Sequence, residues 1–298
     1  MSEQNLQGFF TITVTPFNED SSLDVKSVKT YTEHQLSKGV HGMTILGIMG
    51  EVGKLTEKER NQVMEATLEQ NKGRVPIVVG CSASSTIIAV QYAKQAEAAG
   101  ASAVMVAPPQ KIGNETLLLQ HYAKIAENIS IPIVLQDEPV TTQVILKPNF
   151  IAKAGQEIDL IKYVKLEEAP TPMKIRNVLA KNPDLKIFGG LGGVHFYSEL
   201  CSGAVGTMTG FAFPEVLVKT YELFAAGKKE ESRAYFYHYL PLLVYEAQLG
   251  MGGVAIRKET YKLRGAIASG TIRFPSVPID KQTMEELKAM VPFLGLKF

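Results

Sequence analysis

Lys165 is the residue whose type and position in this sequence most clearly suggest chemistry. It ends the stretch LIKYVK (160–165), which is apolar enough to be a strand buried on both faces, as the strands of parallel sheets are. A buried ammonium is costly unless it is paired, and an apolar surrounding favours the uncharged amine. Because an uncharged amine attacks carbonyl carbons, we predict that Lys165 forms a Schiff base. The alternative is a lysine at a strand end with its ammonium in solvent.

Two further candidates stand two residues from Lys165, on the same face if the strand continues. Glu167 can tune the lysine or move protons, and its alternative role is that of a solvated loop carboxylate. Tyr163 points to the same side and offers a phenol. We therefore predict Lys165, Glu167 and Tyr163 as the catalytic residues.

Short β-rich runs alternate with helical patterns up to about residue 213. The eight strand candidates span 9–15, 42–46, 75–79, 102–107, 131–136, 160–165, 186–190 and 204–209. Local signals mark the helices between them, such as the capping box of Thr56 and Glu59 and the stop at Gly100. Eight strands, each followed by a helix-sized segment, predict an α/β fold of the (β/α)8 TIM barrel type. An open doubly wound sheet is the competing architecture.

The chain from Pro214 onward shows helical patterns only. We predict a barrel core over residues 1–213, followed over residues 214–298 by the last barrel helix and a C-terminal helical subdomain. No low-complexity segment or obvious linker divides the chain.

The composition excludes several classes of function. Of 298 residues, 45% are hydrophobic and 20% are charged, and the net charge of +1 points to neither nucleic acid nor an anionic membrane surface. Two cysteines are too few for a disulfide framework, and with no signal peptide pattern they fit a cytoplasmic protein. The five histidines are scattered without metal-ligand spacing, so we expect neither a metal nor a cofactor.

In such barrels the active site lies at the carboxyl ends of the strands. Backbone N–H groups of the loop over 48–50 can attract an anion. Asp137, at the end of the fifth strand candidate, can pair with Lys165 or cap its own loop, and the glycines around Gly190 leave room above the lysine. The predicted substrate-binding residues are Thr15, Ile48, Met49, Gly50, Gln136, Asp137, Gly190 and Thr209.

Several motifs together carry a family likeness. They are TVTPF (13–17), GIMGE (47–51), LTEKER (55–60), GCSASST (80–86), IPIV (131–134) and Lys165 at a strand end. With them the chain resembles the dihydrodipicolinate synthase / N-acetylneuraminate lyase family along nearly its whole length. The resemblance implies a barrel that binds a 2-oxo acid as a Schiff base on a strand-six lysine, which is Lys165 here.

The chain departs from the family pattern at its proton relay. Ile48 and Met49 stand where the family has two threonines, and Gln110 stands where it has a tyrosine. The segment Gln136–Pro139 replaces Tyr-Asn-x-Pro, and the arginine that follows in the family and holds a substrate carboxylate is missing. We therefore expect no working dihydrodipicolinate synthase, and Tyr163 becomes the substitute for the lost phenol.

One branch of the family is more similar. Five segments resemble the 2-keto-3-deoxy-L-arabonate dehydratases: 136–139, 165–167, 206–214, 240–246 and 264–269. This implies a hydro-lyase that forms 2,5-dioxopentanoate. The alternatives are a pyruvate-dependent aldolase or condensing lyase, a hydroxypyrroline-carboxylate deaminase, and a catalytically silent metabolite-binding homologue.

The resemblance also implies a homotetramer or a homodimer. The apolar side chains of Tyr235, Tyr237, Leu240 and Leu243 in the C-terminal part need a partner surface. The small-molecule 2-oxo acid is the only other partner that we expect.

Overall fold

Eight parallel strands form a closed barrel in a computed structural model that describes residues 5–247 and 253–298. Each strand pairs with the next along the chain, and the eighth pairs with the first. The strands are β1 (Gly8–Ile12), β2 (Gly42–Ile45), β3 (Ile77–Gly80), β4 (Ala103–Val106), β5 (Ile133–Asp137), β6 (Ile161–Leu166), β7 (Lys186–Gly189) and β8 (Gly206–Thr209). The predicted (β/α)8 barrel is confirmed, and every strand falls at one of the eight candidates.

Helices follow the strands and surround the barrel. They are α1 (Val25–Ser37), α2 (Glu57–Asn71), α3 (Thr86–Ala98), α4 (Glu115–Ala126), α5 (Pro139–Thr142), α6 (Pro148–Glu157), α7 (Thr171–Leu179), α8 (Phe196–Cys201), α9 (Pro214–Ala225), α10 (Lys229–Ala247), α11 (Gly253–Leu263) and α12 (Lys281–Phe293). Short 3-10 turns over 48–50, 52–54 and 191–193 lie in the loops after β2 and β7.

The local signals read from the sequence account for the helix ends. Thr56 accepts a hydrogen bond from the Glu59 amide at 3.2 Å, and the Glu59 carboxylate accepts one from the Thr56 amide at 2.9 Å. This is the predicted capping box of α2. Gly100 follows α3 with φ +94°, a conformation that glycine adopts without strain.

Alternation along β6 fixes the direction of the residues with chemistry. Val164 and Leu166 face outward and join the apolar cluster between strands and helices. Tyr163 faces inward and packs in the barrel interior, where Phe10, Phe188 and other apolar side chains fill the space. Lys165 shares this inward direction because it lies two residues further along the strand. It therefore lies above the apolar filling, toward the carboxyl ends of the strands.

The C-terminal helices are tied to the barrel by polar contacts. The Tyr261 hydroxyl of α11 donates to the Phe211 carbonyl at 2.9 Å, and the Arg264 guanidinium pairs with Glu215 of α9 at 2.5 Å. The boundary between a barrel core and a helical subdomain at residue 213 stays a prediction. Within 5–247 and 253–298, none of the helices combines the length and the hydropathy needed to cross a bilayer.

Candidate functional site

Lys165 is buried and paired. The residue is 5% exposed, and its Nζ lies 2.9 Å from Oε2 of Glu167. The Glu167 backbone extends the pairing of β6 with β5, since its N–H donates to the Asp137 carbonyl at 2.9 Å. The spacing of two residues thus brings the amine and the carboxylate to the same mouth of the barrel. The cost of burying the ammonium is offset by this partner.

Two neighbours hold the carboxylate of Glu167 in place. Gln136 lies opposite Lys165 in the register of β5 with β6, and its Nε2 donates to Oε2 of Glu167 at 2.8 Å. Gly190 lies against the same side chain, since a Cβ at this position would be 2.4 Å from Cγ of Glu167. Both residues were predicted to bind substrate, which stays a prediction, and the structure places them around Glu167.

A cavity of about 260 Å³ opens above Lys165 and Glu167. Its lining comprises Ile12, Ile48, Met49, Glu138, Val140, Thr141, Lys165, Glu167, Leu191, Gly192, Met208, Thr209, Gly210, Ala247 and Arg257. No tyrosine or histidine is among these described lining residues. Two apolar side chains from the barrel interior, Ile12 and Met208, belong to the same lining. Thr209, which was predicted to bind substrate, also lines the cavity.

Only some of the residues predicted to bind substrate in the loop after β2 line the cavity. Ile48 and Met49 line the cavity, whereas the N–H of Gly50 donates to the Gly47 carbonyl at 2.9 Å. The Thr15 hydroxyl donates to the Gly50 carbonyl at 2.6 Å. Thr15 and Gly50 therefore brace the loop from behind. Neither residue is among the described residues that line the cavity, and a contact of either with the substrate stays a prediction.

Tyr163 lies at the wrong end of the barrel for proton transfer at Lys165. Its hydroxyl accepts a hydrogen bond from the Leu6 amide at 3.1 Å. Leu6 precedes β1, so this contact is at the amino ends of the strands, opposite the mouth. The prediction that this phenol replaces the family's tyrosine is wrong. Alternation defines the face of a strand, whereas depth along the barrel axis separates Tyr163 from Lys165.

Asp137 faces away from Lys165. Its Oδ2 lies 2.6 Å from Nζ of Lys174, and its Oδ1 accepts from the Leu146 amide at 3.2 Å. Burial raises the pKa of Asp137 to about 6, against the opposing effect of the Lys174 ammonium. Pairing with Lys165 is thus wrong, and the observed role is to anchor the loop after β5.

Sequence reasoning missed two buried ionisable residues near the site. Glu199 of α8 accepts a hydrogen bond from the Thr171 hydroxyl at 2.6 Å, and burial raises its pKa to about 8. A Cβ at Gly189 would be 1.7 Å from its Oε2, so the carboxyl fills the space that this glycine leaves. Arg257 of α11 lines the cavity although it is 2% exposed. Both stand in helical patterns where a charge indicates a solvated face, so the sequence offered no signal.

Metal ligation has no geometric basis in the part of the chain that the structure describes. No group of three or more His, Cys, Asp or Glu side chains is placed there to hold an ion. The two cysteines are free, with Cys81 buried and Cys201 exposed.

Comparisons with known proteins find family members that match nearly the whole chain. The model of the dihydrodipicolinate synthetase family matches residues 5–293. An L-2-keto-3-deoxyarabonate dehydratase of Azospirillum brasilense is 29% identical over 290 residues, covering 95% of this chain and 93% of that protein. A 4-hydroxy-tetrahydrodipicolinate synthase of Methanopyrus kandleri is 30% identical over 298 residues, covering 98% and 97%.

Solved structures match equally well. Dihydrodipicolinate synthase from Rhodopseudomonas palustris superimposes with a TM-score of 0.91 at 31% identity, covering 96% of this chain and 97% of that one. The enzyme from Thermotoga maritima gives a TM-score of 0.89 at 27% identity, covering 97% and 98%. The family resemblance read from the motifs is confirmed.

Proposed function

Because the chain belongs to the dihydrodipicolinate synthetase family, whose members are Schiff-base lyases, we propose that it dehydrates a 2-keto-3-deoxy sugar acid. The substrate is of the 2-keto-3-deoxy-L-arabonate type, and the product is 2,5-dioxopentanoate. One observation carries the proposal: a buried amine, Lys165, paired with the Glu167 carboxylate in a cavity whose described lining lacks a phenol. The dehydratase from Azospirillum brasilense adds support as a relative of similar length.

The first step is imine formation at Lys165. Glu167, 2.9 Å away, accepts a proton from the ammonium and frees the amine to attack the C2 carbonyl. The oxygen of that carbonyl leaves as water, and the C2–N bond forms a protonated imine. Gln136 keeps the carboxylate aimed at the reacting atoms through its 2.8 Å hydrogen bond.

Elimination then needs one group that both takes and returns a proton. The protonated imine withdraws electrons, so Glu167 can remove a proton from C3 and leave an enamine. The enamine expels the C4 hydroxyl, which takes the proton back from Glu167 and departs as water. A proton then moves from C5 to C3 and leaves an enol between C4 and C5, and the enol hydroxyl passes its proton to C4 to give the C5 aldehyde. Hydrolysis of the imine releases 2,5-dioxopentanoate and restores Lys165.

Aldol cleavage and condensation make a different demand. In aldol cleavage a base must take the proton of the C4 hydroxyl, and in condensation the same group must return that proton. A second group must meanwhile transfer the proton at C3 of the enamine. The names of relatives such as the synthase of Methanopyrus kandleri favour this alternative. The described lining offers Glu167 and Glu138 as bases and no tyrosine, so we rank dehydration first. Deamination of a hydroxypyrroline carboxylate and binding without turnover remain the further alternatives.

A product assay separates these functions. Purified protein is supplied with 2-keto-3-deoxy-L-arabonate, and both 2,5-dioxopentanoate and pyruvate are quantified. We expect the dioxo acid without pyruvate, and no consumption of pyruvate with aspartate semialdehyde. Pyruvate release or consumption of the semialdehyde would establish the aldol alternative. Turnover of none of the substrates, with binding, would identify a silent homologue.

We also propose that the chain assembles as a homodimer or homotetramer. Large apolar side chains remain exposed among the described residues, with Ile87 at 72% and Val140 at 78% exposure. Leu243, predicted as interface material, is instead buried within the chain. One related structure is described as a monomeric dihydrodipicolinate synthase variant, so the state needs measurement. Sedimentation equilibrium at micromolar concentration is expected to give a dimer or tetramer, and a monomer would contradict this.

A further inference from the structure

We propose that Arg257 binds the C1 carboxylate of the 2-oxo acid. This inference rests on the proposed function, since it names how the same site holds its substrate. The family's substrate-binding arginine after strand five is missing from this chain, and Gln136–Pro139 stands there. Arg257 reaches the cavity from α11, about 120 residues later in the sequence.

The guanidinium of Arg257 is fixed on one side and open on the other. Its Nε donates to Oε1 of Glu246 at 2.6 Å, and Oε2 of Glu246 accepts from the Ala212 amide at 2.9 Å. Glu246 therefore orients the side chain from behind. Nη1 is buried and has no hydrogen-bond partner among the described residues.

An unpartnered Nη1 points to a ligand because a buried donor without an acceptor is costly, and more so when it is charged. Gly210 lies beside this atom, since a Cβ there would be 2.4 Å from Nη1. Gly210 and Arg257 both line the cavity that contains Lys165. The missing acceptor can therefore come from a molecule in the cavity. The planar fork of a guanidinium matches a carboxylate.

Charge complementarity selects the C1 carboxylate. The described residues of the cavity lining include two cations, Lys165 and Arg257. Lys165 becomes the imine nitrogen bonded to C2, so it is not available to bind the C1 carboxylate as a separate cation. A 2-keto-3-deoxy sugar acid carries a single negative charge, on C1, and Arg257, although paired with Glu246 through Nε, has Nη1 without an acceptor and can receive that carboxylate. The hydroxyl groups that the loop at Ile48 and Met49 lacks are then not needed for binding.

The test measures borohydride trapping of pyruvate, whose only charged group is the C1 carboxylate. The adduct on Lys165 is quantified by mass spectrometry against pyruvate concentration in wild type, Arg257→Met and Arg257→Lys. Arg264→Met is the matched control, because Arg264 is also a buried arginine paired with a glutamate but does not line the cavity. Pyruvamide, which is uncharged, replaces pyruvate in a second series.

We expect Arg257→Met to raise the half-saturating pyruvate concentration on the order of 10- to 100-fold, and Arg257→Lys to raise it less. Arg264→Met should stay within about twofold of wild type. The preference of wild type for pyruvate over pyruvamide should disappear in Arg257→Met. If Arg257→Met does not fold, Arg257→Lys decides, because it should still raise the half-saturating pyruvate concentration above that of Arg264→Met.

Two results would overturn the inference separately from the proposed function. Unchanged half-saturation and unchanged preference for pyruvate in the Arg257 variants, with a normal wild-type adduct, would remove Arg257 from the C1 site alone. A raised KM for the sugar acid with unchanged pyruvate trapping would place Arg257 at the far end of the substrate, against this proposal. A wild-type protein that forms no adduct would overturn the proposed function itself.

Discussion

At the scale of single residues, the pair of Lys165 and Glu167 meets two opposing requirements, burial of an amine and a partner for its charge. The amine must be buried to meet a carbonyl in a dry site, yet a buried ammonium requires a partner. Glu167 serves as that partner at 2.9 Å and is also the nearest acceptor for the proton that the amine must lose. The Glu167 carboxylate thus both stabilises the buried ammonium of Lys165 and accepts the proton that this ammonium must lose.

Glu167→Gln tests this double role. Glutamine keeps the size of the side chain and an oxygen for the Gln136 hydrogen bond, but it cannot exchange protons. We expect kcat for dehydration to fall roughly 10²- to 10⁴-fold, as for loss of a general acid–base group. Steady-state assays at saturating substrate provide the measurement. Glu168→Gln is the control, since Glu168 pairs with Lys174 and does not line the cavity. A Glu167→Gln rate within a few-fold of wild type would exclude the carboxylate as the base.

At the scale of elements, the end of β7 shapes the site because its glycines have no side chains. Consecutive glycines, Gly189 and Gly190, lie against the carboxyls of Glu199 and Glu167. Any side chain at these two positions would occupy the space that the Glu199 or Glu167 carboxyl fills. The run of glycines read from the sequence as room above the lysine is, in the structure, room for two carboxyls.

Gly190→Ala should therefore displace Glu167 while leaving Lys165 in place. A Cβ would lie 2.4 Å from Cγ of Glu167, so the carboxylate must move. A misplacement of this kind costs about 10²-fold in kcat. Gly113→Ala is a matched control, because no atom lies within 4 Å of a Cβ there. The measurement is kcat together with borohydride trapping. A variant that keeps full kcat would show that the position of Glu167 does not matter.

The sequence predicted the elements better than the site. Eight buried strands follow from short apolar runs, because both faces of each strand are covered, and Lys165 was found because it ends one of these runs. The spacing in the sequence could not show that Tyr163 lies away from the site, because Tyr163 and Lys165 both face inward. They differ only in their depth along the barrel axis. Arg257 could not be found, because its neighbour Gly210 is brought to it by the packing of α11 and by no local pattern.

At the scale of the whole molecule, buried acids make stability depend on pH. The folded pKa of Glu199 is about 8, above the ordinary value of 4.5, because the side chain is buried. The folded state then holds a proton that the unfolded state releases above pH 4.5. Stability from this group is complete below that pH and is lost as pH rises toward 8, by up to ~1.4 kcal/mol per pH unit.

Glu199→Gln removes that dependence. The amide keeps an oxygen for the Thr171 hydroxyl and does not titrate. We expect wild type to lose about 2.5 kcal/mol of unfolding free energy relative to this variant between pH 5.5 and 7.5. Urea unfolding at the two pH values measures the difference, and Glu65→Gln, an exposed carboxylate of α2, is the control. A difference that stays constant with pH would contradict a raised pKa.

Trapping of Lys165 tests the central claim most directly. Wild type, Lys165→Arg and Lys162→Arg are treated with pyruvate and borohydride, and the adduct is located by peptide mass spectrometry. Lys162 is the matched control, three residues earlier on β6 with an exposed side chain. Arginine keeps the positive charge but does not release its proton. We predict one adduct per chain on Lys165 in wild type and in Lys162→Arg, and neither adduct nor turnover in Lys165→Arg. An adduct on another residue, or turnover by Lys165→Arg comparable to wild type, would contradict the account.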